Sequence, residues 1–274
     1  MNNTISVLLG AVQGIAEFLP VSSTAHTMIF SQLFGGISEN SAGQDAFYVF
    51  LNLGTLLALM IFFRRDIEKL FFGTFDLIFL KKTENRENVI TLILASLPVI
   101  IIFGIIEILS LRSAMQFFGP QVTIGTMLFL FSIVMYICDQ KSTEKTQVTR
   151  KDMILTGVAQ LLSIIPGVSR LGICMSAMRY LGYSRLESFH ASMILSIPPT
   201  AGACFLSFLK IFKNEIAVDW ISVVIGCTTA FLLGLVTLKF VDWFLQKFTL
   251  LPLVIYRIVV GALVLIVSYF SCVG

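Results

Sequence analysis

Glu17-Phe18-Leu19-Pro20-Val21-Ser22-Ser23 stands in the middle of one apolar stretch, 5–34, and Pro166-Gly167-Val168-Ser169-Arg170 stands in the middle of another, 153–182. A proline cannot continue a helix, and the backbone groups it frees need partners. In a bilayer such a break is tolerated only where it is buried in protein or lines a wet cavity. The pattern therefore predicts two re-entrant helix hairpins. Pro20-x-x-Ser23 and Pro166-x-x-Ser169 share one spacing and are offset by 146 residues. Each hairpin is followed by a phenylalanine-containing span (Phe47, Phe189) and two further spans. One hairpin plus an odd number of spans, used twice, requires the second half to be inserted upside down, with the site where the two breaks meet.

The rest of the chain agrees with a membrane setting. Of 274 residues, 57% are hydrophobic and 13% charged, where soluble domains carry about 25% charged residues. With a mean hydropathy of +0.91, a soluble enzyme, a disordered chain and a disulfide scaffold are excluded. A span needs about 20 mostly apolar residues, and 46–63, 89–109, 120–138, 188–209, 220–238 and 252–271 qualify. The expected fold is all-α: a polytopic membrane protein with inverted-topology repeats, six transmembrane helices and two re-entrant hairpins. Residues 1–274 form one membrane domain, with repeat one at about 1–138 and repeat two at about 153–274. The start, MNNTISVLLG, lacks a basic n-region, so no cleavable signal peptide is expected. The five cysteines form no CxxC pair, which argues for packing residues and against zinc or a redox dithiol. A net charge of +3 gives no case for nucleic acid.

Lys and Arg set the orientation. The 64–88 connection carries Arg64, Arg65, Lys69, Lys81, Lys82 and Arg86, and 139–152 carries Lys141, Lys145, Arg150 and Lys151; 110–119 has Arg112 alone. The first two are expected on the cytoplasmic side and both termini outside, in a bacterial inner membrane. Lys210 and Lys213 fall on the outer side, partly balanced by Glu215 and Asp219.

A carboxylate at bilayer depth costs about 2.5–3.5 kcal/mol on insertion scales, so Glu17 needs a reason. Gln13 lies one helical turn before it, on the same face. Ser22 and Ser23 share a face with His26 and can cap the helix that starts after Pro20. A serine cap, free N–H groups and a helix N-terminus suit an anion. Arg170, after Ser169, brings a guanidinium fork that matches phosphate oxygens. Gly167 lets backbone approach a ligand. His190 reads as structural. The expectation is that Glu17 and Arg170 meet across the two hairpins, in a set able to bind and cleave a phosphoanhydride.

Gln13-Gly-Ile-Ala-Glu17-Phe-Leu-Pro20-Val-Ser22-Ser23-Thr24-Ala25-His26 resembles the first signature of the undecaprenyl-diphosphate phosphatases, the bacitracin-resistance family. Pro166-Gly167-Val168-Ser169-Arg170-Leu171-Gly172 resembles the second, and Pro252-x-x-x-Tyr256-Arg257 a late motif. Asn52-Leu53-Gly54 stands where the family has Gln-Leu-Gly. The resemblance covers essentially the whole chain. It implies a membrane phosphatase that removes the terminal phosphate of a fifty-five-carbon polyprenyl diphosphate. The monophosphate carrier is thereby recycled for cell-wall synthesis. It implies catalytic roles for Glu17, Ser23, His26 and Arg170, with Ser22, Thr24, Ser169, Gly167, Gln13 and Asn52 toward the substrate. It also implies a divalent cation, Mg²⁺ or Ca²⁺, on Glu17 and Gln13. The chain departs from the family at Gln13, where an acid is usual, at Ala25 for glycine, and at Leu171 for serine.

Two functions compete: hydrolysis of the lipid diphosphate, or a carrier or flippase for a polyprenyl phosphate lipid. Either takes the polyprenyl lipid and the surrounding membrane as partners, and a homodimer stays open. His26 is expected as nucleophile or as the base for water or Ser23, and Ser23 as ligand or nucleophile. The site is expected to face the periplasm or outside.

Overall fold

The computed structural model describes residues 2–33, 42–109, 119–140, 144–213 and 218–273. Among these residues are eleven α-helices: α1 Asn3–Ala16, α2 Ser23–Leu33, α3 Ala42–Phe62, α4 Arg64–Ile78, α5 Glu84–Ile108, α6 Pro120–Asp139, α7 Arg150–Ala159, α8 Arg170–Tyr180, α9 Arg185–Lys213, α10 Trp220–Lys247 and α11 Leu251–Val273. A short 3₁₀ turn, Gln160–Ile164, extends α7. Among the described residues, five helices are long and apolar enough to cross a bilayer: Glu84–Ile106, Pro120–Asp139, Arg185–Ile211, Trp220–Lys247 and Leu251–Phe270. Ala46–Phe62 passes the same test jointly with Arg64–Ile78, from which it is bent by 89°. The protein is thus an all-α polytopic membrane protein. Helix α4 is a departure, because 64–88 reads as a charged connection. Its exposed Phe71, Phe72, Phe75 and Ile78 recur at helical spacing within that charge.

Both apolar stretches break where expected. Helix α1 is capped by Asn2, whose side chain accepts from Thr4 N at 3.1 Å, and it ends before Pro20. Helix α2 then starts at Ser23. In the second half the chain turns through Gly167 at φ 96° and restarts at Arg170, where Ser169 Oγ caps Gly172 N at 3.1 Å. Ser22 and Ser169 are both at φ 72°, a region that non-glycine residues rarely occupy. The backbone thus matches Ser22 to Ser169, 147 residues apart. That is one residue from the offset suggested by the prolines. In this register Gln13 falls opposite Gln160 and Val21 opposite Val168.

The halves interlock. Helix α1 packs on α10 and α7 on α5, α3 packs on α10 and α9 on α5, and α6 packs on α11. Glycines permit close seams: a Cβ at Gly14 would stand 2.7 Å from the Ala230 carbonyl oxygen, and one at Gly157 would overlap the carbonyl of Ala95. Small residues at such crossings let backbones approach and gain dispersion contact, the main source of helix association in lipid. The central buried cluster takes Phe18 from the first break, Leu171 and Met175 from α8, Phe189 and Met193 from α9, and Leu238 from α10. Both breaks therefore sit inside protein.

Candidate active site

Arg257 of α11 joins the two breaks. It is fully buried. Its Nη1 donates to the Pro20 carbonyl at 2.6 Å, and its Nη2 to the carbonyls of Gly167 at 3.3 Å and Val168 at 3.1 Å; Nε donates to Ser132 Oγ at 3.1 Å. Pro20 and Gly167 are equivalent positions in the 147-residue register. Carbonyls released by the two helix breaks are thus satisfied by one planar fork, as buried backbone acceptors require. The sequence places Arg257 in a late motif without a role, and its partners lie far away along the chain.

The side chains of Glu17 and Arg170 meet across the breaks, as the cost of each alone in lipid predicts. Arg170 Nη2 donates to Glu17 Oε1, and Nη1 to Thr200 Oγ1 of α9. The other carboxylate oxygen, Oε2, accepts from Ser23 Oγ at 2.6 Å and from Gln13 Nε2 at 3.1 Å. Gln13 Nε2 also donates to Asn52 Oδ1 at 2.9 Å, and Asn52 Nδ2 to the Tyr48 carbonyl at 3.0 Å. Glu17, Ser23, Gln13, Asn52 and Arg170 are therefore one connected network. Ser22 and Ser169 form its strained backbone corners, and Gly167 contributes a carbonyl to Arg257 and not to the network. Thr24 is exposed on α2.

His26 stands apart from this network. Its Nδ1 lies 2.8 Å from the Ser22 carbonyl, and Nε2 lies 2.7 Å from the Tyr256 hydroxyl. The two rings are stacked, with centroids 5.6 Å apart. A carbonyl only accepts, so Nδ1 carries the proton, and in the neutral ring Nε2 accepts from Tyr256. The imidazole thus braces the Ser22 corner. His190 pairs with Asp242 at 2.6 Å, a polar partner that its sequence surroundings do not reveal.

A narrow cleft opens beside the Glu17–Arg170 pair, between α3 and α9. Thr55, Ser192, Ser196 and Thr200 line it together with Leu59, Leu171 and Met193. The sequence reading missed all four hydroxyls. The i, i+4, i+8 spacing of Ser192, Ser196 and Thr200 was visible, but which way that face points was not.

The oxygens offered for Mg²⁺ or Ca²⁺ do not form a cation site in this arrangement. Glu17 is the network's one carboxylate, and both its oxygens already accept from N–H or O–H donors. Gln13 turns its amide nitrogen, not its oxygen, toward Glu17; the reverse would set two acceptors against each other. Among the described residues no group of three or more His, Cys, Asp or Glu is placed to hold a metal ion. A hard dication wants several oxygen ligands of net negative charge, whereas here Arg170 Nη2 donates to Glu17 Oε1.

A partly buried carboxylate and guanidinium, beside hydroxyls where two broken helices meet, form the polar centre of a membrane-embedded helical bundle. The chain belongs to the family described as Bacitracin resistance protein BacA, which it matches over residues 6–263. It is 32% identical over 262 residues to an undecaprenyl-diphosphatase of Campylobacter concisus (strain 13826), covering 94% of this chain and 96% of that one. It is also 32% identical over 266 residues to an undecaprenyl-diphosphatase of Pelagibacter ubique (strain HTCC1062), covering 96% of each. A protein of the same name from Idiomarina loihiensis is 31% identical over 268 residues, 97% of this chain and 98% of that one.

Proposed function

We propose that the chain hydrolyses undecaprenyl diphosphate to undecaprenyl phosphate and inorganic phosphate, returning the lipid carrier to cell-wall synthesis. The observation that carries this reading is the Glu17–Arg170 pair, set across the two helix breaks with Ser23 on the carboxylate. Arg170 turns its fork from Glu17 to the oxygens of the terminal phosphoryl group, where negative charge spreads in the transition state. Glu17, released from Arg170, takes the proton of Ser23 through the bond that already joins them. Ser23 Oγ attacks the terminal phosphorus, the bridging P–O bond breaks, and undecaprenyl phosphate leaves. Glu17 passes that proton to the departing undecaprenyl phosphate and is a carboxylate again. Water then attacks the phosphoserine with Glu17 as base, the Ser23 Oγ–P bond breaks, Glu17 returns the proton to Ser23, and inorganic phosphate is released. His26 and Tyr256 hold the Ser22 corner and so aim Ser23. No step is assigned to a divalent cation, because the donor set does not fit one.

The exchanged helix pairings support two repeats, about 1–138 and 153–274, inserted in opposite directions. The Lys and Arg distribution supports a bacterial inner membrane with the site open to the outer side. The test is phosphate release from undecaprenyl diphosphate by the purified chain in detergent. Glu17→Gln, Ser23→Ala and Arg170→Ala should each lower the rate at least about a hundredfold, the scale set by removal of a general base or a transition-state donor. Lipid transfer across sealed vesicles without phosphate release would overturn the reading in favour of a carrier.

A further inference from the structure

Four buried hydroxyls converge on the cleft between α3 and α9. Thr55 is 1% exposed, Ser192 2%, Ser196 4% and Thr200 9%. All four donate to carbonyls of their own helices: Thr55 to Asn52 at 3.0 Å, Ser192 to Ser188 at 2.6 Å, Ser196 to Met193 at 2.7 Å and Thr200 to Ser196 at 2.7 Å. Such back-bonding is common for Ser and Thr in apolar helices and satisfies each one singly. It does not account for four of them from two helices facing one cleft that ends on Glu17 and Arg170. One already binds the machinery, because Thr200 accepts from Arg170.

We propose that this cleft is the pocket for the non-bridging oxygens of the terminal phosphoryl group, with Thr55, Ser192 and Ser196 as its neutral donors beside Arg170. The inference rests on the phosphatase reading and names the part of the site that receives the transferred phosphoryl group. A hydroxyl rotates to donate at little cost here, since a helix carbonyl keeps its backbone partner when the side chain turns away. The walls favour a small anion. Leu59 and Met193 are each 3% exposed, so this side of the pair gives a lipid tail no passage to the bilayer. The three equatorial oxygens of a transferring phosphoryl group lie across the line of attack. Ser23 and the bridging oxygen can thus define that line at the mouth while the equatorial oxygens point inward. Leu171 lines the same cleft, where the resemblance led one to expect a serine. Helix α9 supplies hydroxyls that α8 does not.

The experiment uses the full-length chain in detergent, with Ser192→Ala, Ser196→Ala and the double variant. Ser268→Ala is the control, because Ser268 back-bonds to Val264 at 2.8 Å on α11, outside the cleft. Two readouts are taken: inhibition of turnover by inorganic phosphate, and direct binding of inorganic phosphate by ³¹P line broadening. The double variant, with the melting temperature of its parent, should bind phosphate at least tenfold more weakly and lose kcat more than it gains KM. Ser196→Thr, which keeps the hydroxyl, should stay near the parent. A folded double variant whose phosphate affinity lies within twofold of the parent, or a Ser268→Ala effect of equal size, overturns the pocket. The direct titration needs no turnover. A parent that releases no phosphate from undecaprenyl diphosphate therefore defeats the enzymatic reading, while the titration still decides the pocket.

Discussion

Glu17 accepts from Arg170, Ser23 and Gln13 at once, and this crowding decides what its neighbours can become. In Gln13→Glu a second carboxylate replaces a donor that now lies 3.1 Å from Glu17 Oε2. Two like charges at that separation repel unless a proton or a cation intervenes. The variant should turn over more slowly than its parent in chelator and gain more from added Mg²⁺ or Ca²⁺. Superimposable metal titrations of the two proteins would defeat this. Arg257 offers the sharper test of the frame. Lysine keeps its charge but cannot span Pro20, Gly167, Val168 and Ser132 from a single ammonium. Breaking a buried charged cluster costs about 3–5 kcal/mol. Arg257→Lys should therefore lower the melting temperature by on the order of 10 °C and abolish phosphate release. A stable, active Arg257→Lys would show that the breaks hold without the fork. The need for an Arg170–Glu17 contact was legible from sequence, since each is costly in lipid alone. Arg257 was not, because its nearest break carbonyl along the chain is 89 residues away and no local pattern marks such a bond.

At the scale of elements, the breaks were legible because proline and serine act within one or two residues of themselves. Their register was not, because Pro20 and Pro166 are both tolerated beside a corner that the backbone places at Ser22 and Ser169. Helix α4 escaped for a different reason. Its charges read as a connection, while its phenylalanines, too few for a span, lie along one face of a helix turned 89° from α3. The link from α6 to α7 is also more built than its polarity suggests. Lys145 N donates to the Gly182 carbonyl at 2.9 Å, and Tyr183 donates to Asp152 at 2.7 Å while accepting from Thr149 N at 3.1 Å. The Tyr183 hydroxyl holds the Asp152 carboxyl below its ordinary value of 3.8, against the opposing effect of burial. A carboxyl depressed in the folded state adds stability above its unfolded value, and that stability is lost as pH falls through the folded value. The melting temperature should therefore fall less between about pH 5 and pH 3 in Tyr183→Phe than in the parent. Parallel curves would remove Asp152 from the acid sensitivity.

For the whole molecule, the exchange of partners between halves has a consequence for folding. Helix α1 rests on α10 and α7 on α5, so each hairpin is seated against a helix of the other half. Arg257, from the second half, satisfies the Pro20 carbonyl of the first. Glu17 and Arg170 come one from each half. Neither half can therefore complete its own break or site, although each carries enough apolar helix to enter a bilayer, and insertion precedes helix association in lipid. Cutting the chain in the exposed connection between Thr146 and Gln147 puts Lys145 in one fragment and its partner Gly182, with the start of α7, in the other, so that this contact bridges the cut. Co-expressed fragments 1–146 and 147–274 should copurify and release phosphate from undecaprenyl diphosphate. Either fragment alone should be inserted, inactive and rapidly proteolysed at its hairpin. Arg257→Lys in the second fragment should break copurification by weakening contact with the first, whereas Asp242→Asn, on the His190 pair wholly within the second half, should leave it intact. Activity from a single fragment would mean that each half holds its own break, contrary to the crossed packing.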